Sequence, residues 1–436
     1  MNIPYSRHTL DNGLDILVHE DHACPIVAVN VWYHVGSKNE VAGRTGFAHL
    51  FEHLMFEGSQ HYDKGYFEPL QEAGGLLNGS TNADRTNYWE VVPTNALELA
   101  LWMESDRMGY LLPALTDAKF ENQREVVLNE RRQNYENRPY GFASMAMMAA
   151  LYPPNHPYSW MTIGAAEDIR AARLDDVRAF FQTYYRPGNA SLALAGDVET
   201  DRAIDLATQY FGELEAADTP PVVAASAPPP YTTERRLLLE DRVELPRVYI
   251  AWHSPSLFGE ADAELDLVAE VLASGKTSRL YRSLVYEQRM ATELAASQNS
   301  RELGGYFQIV ATAAPGRTLA ELERAITEAV EALVEEGPTP REMERCQAQA
   351  EANFIYRLQT VGGFGGKSDQ LNAYNVFVGD PGFFERDLDR YRRVTAPSMQ
   401  RVAHEWLTPE RRVLLSVVPR GRRELALDGS EPVAVS

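Results

Sequence analysis

Two stretches about 220 residues apart share one pattern, and that likeness constrains the fold more than any other feature of the chain. Pro25-Ile26-Val27-Ala28-Val29-Asn30-Val31-Trp32-Tyr33-His34 and Pro246-Arg247-Val248-Tyr249-Ile250-Ala251-Trp252-His253 carry the same β-branched and aromatic run after a proline. Such residues favour extended chain, so each stretch reads as a strand. A repeat this long implies a duplicated domain rather than a short-period solenoid. The parallel extends further. Strand-like Leu14–His19, after the Asn12-Gly13 turn, precedes the first stretch, and Arg235–Leu239 precedes the second. Helix-forming segments follow at Gly46–Glu57 and Glu264–Ala273, and each half closes on a strand, Ala190–Gly196 or Arg412–Val418. This mixture predicts two homologous α+β domains, each a mainly antiparallel β-sheet packed with helices. Ala216–Pro230, rich in Ala and Pro, suits neither a helix nor a central strand. The expected division is a first domain over 1–215, a linker over 216–232 and a second domain over 233–436.

A length of 436 residues exceeds one ordinary core and fits this duplication. Apolar content of 44% and charged content of 24% are those of a soluble globular protein. A net charge of −21 argues against a nucleic-acid surface and leaves basic partners open. Cys24 and Cys346 are far apart and form no CxxC, which argues against a disulfide framework or a cysteine zinc site and fits a reducing compartment. No apolar run approaches the roughly 18 residues that span a bilayer. Met1-Asn2-Ile3-Pro4 lacks the regions of a signal peptide, so the expected location is cytoplasmic.

The chemistry concentrates in the first helix-forming segment, at His49, Leu50, Phe51, Glu52 and His53. Histidines four apart lie one turn apart on one helix face, where both imidazoles can reach a single zinc ion. A catalytic zinc takes three protein ligands and keeps a fourth position for water. The candidate third ligand is Glu130, on a polar helix expected over Thr116–Arg138 and ending before Pro139. Gln123, Val127, Glu130 and Asn134 form one stripe of that helix. A carboxylate on a partly apolar face is costly to bury alone, and a dication compensates it. His34, His61, His156, His253 and His404 have no partner at ligand spacing and read as surface or core residues. Gly362-Gly363-Phe364-Gly365-Gly366 lacks the Lys-Ser/Thr placement of a phosphate loop and reads as a flexible turn.

The order His-x-x-Glu-His inverts the commoner zinc motif. With 76 residues (54–129) intervening between His53 and Glu130, the chain resembles the pitrilysin, insulin-degrading and mitochondrial-processing-peptidase family of zinc peptidases. Gly74-Gly75-Leu76-Leu77-Asn78-Gly79-Ser80-Thr81-Asn82-Ala83-Asp84-Arg85-Thr86-Asn87-Tyr88 matches a further family pattern, and the resemblance covers nearly the whole chain. It implies a zinc endopeptidase acting on short or unfolded peptides, with one Zn2+ per chain held by His49, His53 and Glu130. Glu52 would be the catalytic base, taking a proton from water and passing it to the leaving amine. It also implies that Asn78, Gly79, Ser80, Thr81, Asn82 and Ala83 form a sheet edge to which an extended peptide adds as a strand.

The chain departs from the family pattern in two places. Many members have a glutamate seven residues before the liganding one, where this chain has Gln123, which can hydrogen-bond around the site but adds no charge. Active relatives often carry an Arg and, seven residues later, a Tyr that bind substrate near zinc. Matching Ser278-Arg279-Leu280-Tyr281 to the family pattern puts Val285 and Thr292 there, which supply neither guanidinium nor phenol. The resemblance thus implies the zinc-bearing half of a heterodimer whose homologous, zinc-free subunit supplies the Arg/Tyr pair, with a self-sufficient homodimer as the alternative. A catalytically silent core or binding subunit is the rival reading, and intact His49, Glu52, His53 and Glu130 argue against it. A structural zinc site would close all four positions with protein ligands, and only three emerge.

Overall fold

The structure is a computed structural model that describes residues 2–216, 219–225, 227–228 and 231–435. Of the expected linker 216–232, residues 217, 218, 226, 229 and 230 lie outside the described residues. The chain groups into two compact units. Met1–Glu130, Met161–Ala224 and Asn353–Arg386 make the first, and Arg131–Trp160, Ala225–Ala352 and Asp387–Ser436 make the second. Each unit therefore draws one segment from the far side of 216–232: residues 353–386 join the first and 131–160 the second.

Each unit is built on a six-stranded mixed sheet, as the duplicated α+β pattern predicts. The first comprises β1 (Ser6–Thr9), β2 (Asp15–Glu20), β3 (Ile26–Tyr33), β4 (Leu76–Thr81), β5 (Thr86–Pro93) and β6 (Ala190–Gly196), in the order β1-β2-β6-β3-β5-β4. Only β2 and β6 pair in parallel. The second comprises β7 (Arg235–Asp241), β8 (Arg247–Ser254), β9 (Ala291–Asn299), β10 (Gly305–Ala313), β11 (Arg412–Pro419) and β12 (Glu431–Pro432), in the order β12-β7-β11-β8-β10-β9. Here β7 runs parallel to both β11 and β12. Five strands follow the same order in both units, and the outermost differs: N-terminal in the first, C-terminal in the second. Central β6 is buried along its whole length, because covering both faces of a sheet demands a continuous apolar run such as Ala-Ser-Leu-Ala-Leu-Ala-Gly.

The motif helix spans Phe47–Leu54, with Phe47, Ala48, Leu50, Phe51 and Leu54 buried. Burying that face leaves His49, Glu52 and His53 on the other. Its N-terminus is held by Glu40, whose carboxylate accepts from the amides of Gly46 (2.9 Å) and Ala48 (2.8 Å), satisfying donors that have no partner inside the helix. Gly46 is required: its φ is +89°, and a Cβ would lie 3.0 Å from the Ile163 carbonyl oxygen. The polar helix expected over Thr116–Arg138 is Asp117–Arg131, followed by a π-helical turn, Arg132–Glu136. Register assigns the two faces of the first sheet. Ser80, Asn87 and Trp32 lie opposite one another on one face, and Thr81, Thr86 and Tyr33 on the other.

Candidate active site

The four-residue spacing brings the rings of His49 and His53 to a centroid distance of 4.8 Å in an edge-to-face arrangement. The helix Asp117–Arg131 delivers Glu130 to both. Glu130 Oε2 stands 3.6 Å from His49 Nε2 and 3.3 Å from His53 Nε2. Donors bound at about 2.1 Å to one tetrahedral zinc ion stand roughly 3.4 Å apart, and these two separations bracket that value. Two imidazole nitrogens and one carboxylate oxygen are also the donor set of a catalytic zinc site. The residues present therefore fit the ion that the family resemblance implies. Among the described residues one other group has comparable proximity, Glu20, His22 and Glu199, and all three are exposed.

The electrostatics separate the two histidines. Burial, and then the charge of His53, push His49 down to about 4 against the pull of Glu130. Burial also opposes the charge on His53, but its hydrogen bond to Glu130 and the charges of Glu52 and Glu130 outweigh it, and the net shift is upward. His49 Nδ1 is buried without a hydrogen-bond partner, so packing rather than a hydrogen bond sets that ring's orientation. Gln123 reaches His53 and donates through Nε2 to Glu57 Oε1 at 2.5 Å.

Glu52 stands beside this group without belonging to it. Burial raises its carboxyl above the ordinary value, and a hydrogen bond from Thr81 works in the other direction. Thr81 ends β4, the edge strand of the first sheet. Of the six residues in the candidate peptide-binding segment, Asn78, Gly79, Ser80 and Thr81 lie on β4, and Asn82 and Ala83 fall in the loop to β5. Gly79 lets the strand approach closely, since a Cβ there would meet the rings of Phe56 and Tyr88 at 3.1 Å. The side chain of Asn78 accepts the Gly79 amide proton at 2.8 Å. In the second unit Val285 lies in a π-helical turn, Tyr281–Glu287, and Thr292 is exposed on β9.

Three features near the site escaped sequence reasoning. Thr81, on the strand packed against the motif helix, lies beside Glu52, a long-range placement that no local pattern encodes. A buried ion cluster lies beneath the segment after the motif helix: Arg107 donates to Glu104 and Glu90, and its guanidinium lies over the rings of Tyr66 (4.0 Å), Tyr88 (4.2 Å) and Phe56 (5.4 Å). The available signal was Glu104-Ser105-Asp106-Arg107 inside an otherwise apolar helix. The third is Asp369, which follows the glycine-rich turn and is buried against the sheet.

Residues 15–157 match the family profile described as insulinase (peptidase family M16), and residues 171–350 match the one described as peptidase M16 inactive domain. Zinc protease PqqE of Helicobacter pylori is 28% identical over 402 residues, covering 91% of this chain and 89% of the relative. An uncharacterized zinc protease of Mycobacterium leprae is 26% identical over 403 residues, covering 92% of this chain and 89% of the relative. The crystal structure of a protease from Helicobacter pylori superposes with a TM-score of 0.89 at 27% identity, covering 95% of this chain and all of that one. The chain thus belongs to peptidase family M16, the pitrilysin/insulinase family of zinc proteases.

Proposed function

We propose that this chain is a zinc endopeptidase of short or unfolded peptides, with His49, His53 and Glu130 as ligands and Glu52 as general base. One observation carries the reading: both Nε2 atoms converge on a single Glu130 oxygen while the neighbouring Glu52 carboxylate stays outside that triad. Zinc bound there supplies a Lewis acid for water and for the scissile carbonyl. Glu52 holds the proton released by the attacking water on a carboxylate oxygen and returns it to the amide nitrogen of the departing product. Thr81, on the strand packed against the motif helix, lies beside Glu52 and works against the upward pull of burial on its carboxyl. The edge strand β4 offers backbone groups to which an extended peptide adds as a further strand, a mode that reads backbone and tolerates many side chains.

Val285 and Thr292 support a division of labour in which a homologous zinc-free subunit brings the Arg/Tyr pair. The test is a peptide-library digest of the purified zinc-loaded chain, with and without that subunit, with chelation and zinc restoration as controls. Weak cleavage alone, strong cleavage with the partner and loss on chelation are expected. Strong cleavage that the partner does not raise would refute the division of labour. No cleavage under any condition would refute the peptidase.

A further inference from the structure

The glycine-rich turn and the helix after it, Lys367–Val378, lie far from the zinc motif in sequence and pack within the same unit. The turn fits flush against the sheet. A Cβ on Gly362 would lie 2.6 Å from both the Ala28 Cβ and a Val91 methyl, while Phe364 packs edge-on against Trp89 at 5.5 Å. The helix then buries Ser368, Asp369, Asn372 and Asn375 along with Leu371 and Tyr374. A helix needed only to cover a sheet docks most cheaply through apolar side chains, because each buried polar group must find a partner. Here Asp369 and Asn372 find partners, while Ser368 Oγ and Asn375 Oδ1 stay unmatched among the described residues. Asp369 Oδ1 accepts from Trp32 Nε1 (2.8 Å), Asn87 Nδ2 (3.2 Å) and Asn30 Nδ2 (3.4 Å), and its Oδ2 accepts from the Gly365 amide (2.7 Å).

From Asp369 the contacts run on and return. Asn87 Oδ1 accepts from Ser80 Oγ at 2.7 Å. Arg85 donates through Nη1 to the carbonyl oxygen of Ser80 (2.9 Å) and to its hydroxyl (2.5 Å). The Arg85 guanidinium lies 5.0 Å over the ring of Trp32, whose indole donates back to Asp369. The result is a closed ring: Asp369, Asn87, Ser80, Arg85 and Trp32. It grips Ser80 on the face of β4 opposite to Thr81, the next residue, on the strand that packs against the motif helix beside Glu52.

We propose that this ring clamps the end of the edge strand, making Asp369 and Arg85 positioning residues that hold Thr81 against Glu52 and keep β4 extended for peptide addition. The inference deepens the peptidase reading and rests on it for its kinetic consequences. A satisfied buried network suits this task, since it admits one arrangement where an apolar contact admits several.

The test compares the full chain with Asp369→Ala, Asp369→Asn and Arg85→Met. Zinc content, kcat and KM with a peptide substrate, and amide hydrogen exchange are measured in the presence of any subunit that activity requires. In Asp369→Ala, zinc should stay at one per chain and exchange over Leu76–Thr81 should accelerate at least tenfold, with Phe47–Leu54 unchanged. Turnover per zinc-loaded molecule should fall at least tenfold, with KM raised. Asp369→Asn, which keeps an acceptor for Trp32, should fall in between. Arg85→Met removes the grip on Ser80 with Asp369 in place, and its exchange over Leu76–Thr81 decides the matter if Asp369→Ala does not fold, since the guanidinium also acts on the charge of Glu52. Unchanged exchange over Leu76–Thr81 in the folded variants, or unchanged turnover per zinc, would overturn the proposal. If the wild-type chain cleaves nothing, the peptidase reading fails, and the exchange data alone still decide whether the ring clamps β4.

Discussion

In the first unit, β3 leads to the motif helix Phe47–Leu54; in the second, β8 leads to the helix Asp262–Ala273, on a sheet with the same order of its five shared strands. The two helices treat their polar side chains in opposite ways. In the first, His49 and His53 aim their donor atoms at the point that Glu130 reaches from the helix Asp117–Arg131. In the second, Asp262 accepts from Arg390 (2.9 Å), the Phe258 amide (3.1 Å), Ser300 (2.5 Å) and Gln298 (3.3 Å), while Tyr391 donates to Asp266 at 2.6 Å. The carboxylates of Asp262 and Asp266 are thus committed to protein partners. One scaffold carries a candidate metal site where its donors converge, and a structural joint where they are saturated.

The sharpest way to break this comparison is Glu52→Gln. The variant should keep one zinc per chain by elemental analysis and lose peptide cleavage about 10³-fold, within the range general acid–base catalysis supplies. Full turnover at full zinc occupancy would remove Glu52 from the mechanism. Next in size is Arg390→Met, which strands Asp262 and Asp387 without their cation. It should cost about 3 kcal/mol in denaturant unfolding of the second unit while leaving zinc content unchanged. A loss of zinc in this variant would show that the two helices are not independent.

The third prediction concerns pH. Burial lifts the Asp266 carboxyl to about 7, from 3.8 for the unperturbed group, against the hydrogen bond from Tyr391. Between those values the folded chain holds a proton that the unfolded chain has released, so this group's contribution to stability falls as pH rises from about 4 to about 7. Asp266→Asn should abolish that fall. About three units at 1.36 kcal/mol each set a ceiling of roughly 4 kcal/mol. Relaxation around the site should halve it, leaving a gain of about 2 kcal/mol, read as the difference between denaturation midpoints at pH 4 and pH 8. The smallest effect is expected from Val285→Arg combined with Thr292→Tyr. It should raise kcat/KM of the isolated chain about tenfold, some 1.4 kcal/mol, if the second unit lacks only its substrate-holding pair. No gain would place the deficit elsewhere.

Much of this was legible in the residues. The shared pattern of Pro25–His34 and Pro246–His253 foretold matching strands, because alternation and β-branching act locally. The strands β3 and β8 appear there within one residue at each end. The convergence of Glu130 on two histidines was anticipated through spacing that matches a family, since helix periodicity puts it on a stripe but says nothing of where the stripe points. What escaped was non-local. Gly362–Gly366 reads as a turn, and the close approach of Gly362 to Ala28 and Val91 could not be foreseen from composition. Asp369 carries no local signal of its role, and its bond to Asn87 spans 282 residues of chain.

By itself the sequence determined the local geometry: two imidazoles on one helical turn, Glu52 beside them, and two copies of one strand-and-helix order. These follow from the repeat of a helix and the pleat of a strand, which depend on neighbours in the chain. Only the tertiary structure decided that Glu130 Oε2 stands within 3.6 Å of both imidazoles, that Thr81 meets Glu52, and that residues 353–386 complete the unit bearing the histidines. Those outcomes depend on closing long loops and on satisfying every buried polar group at once, conditions that no short segment carries.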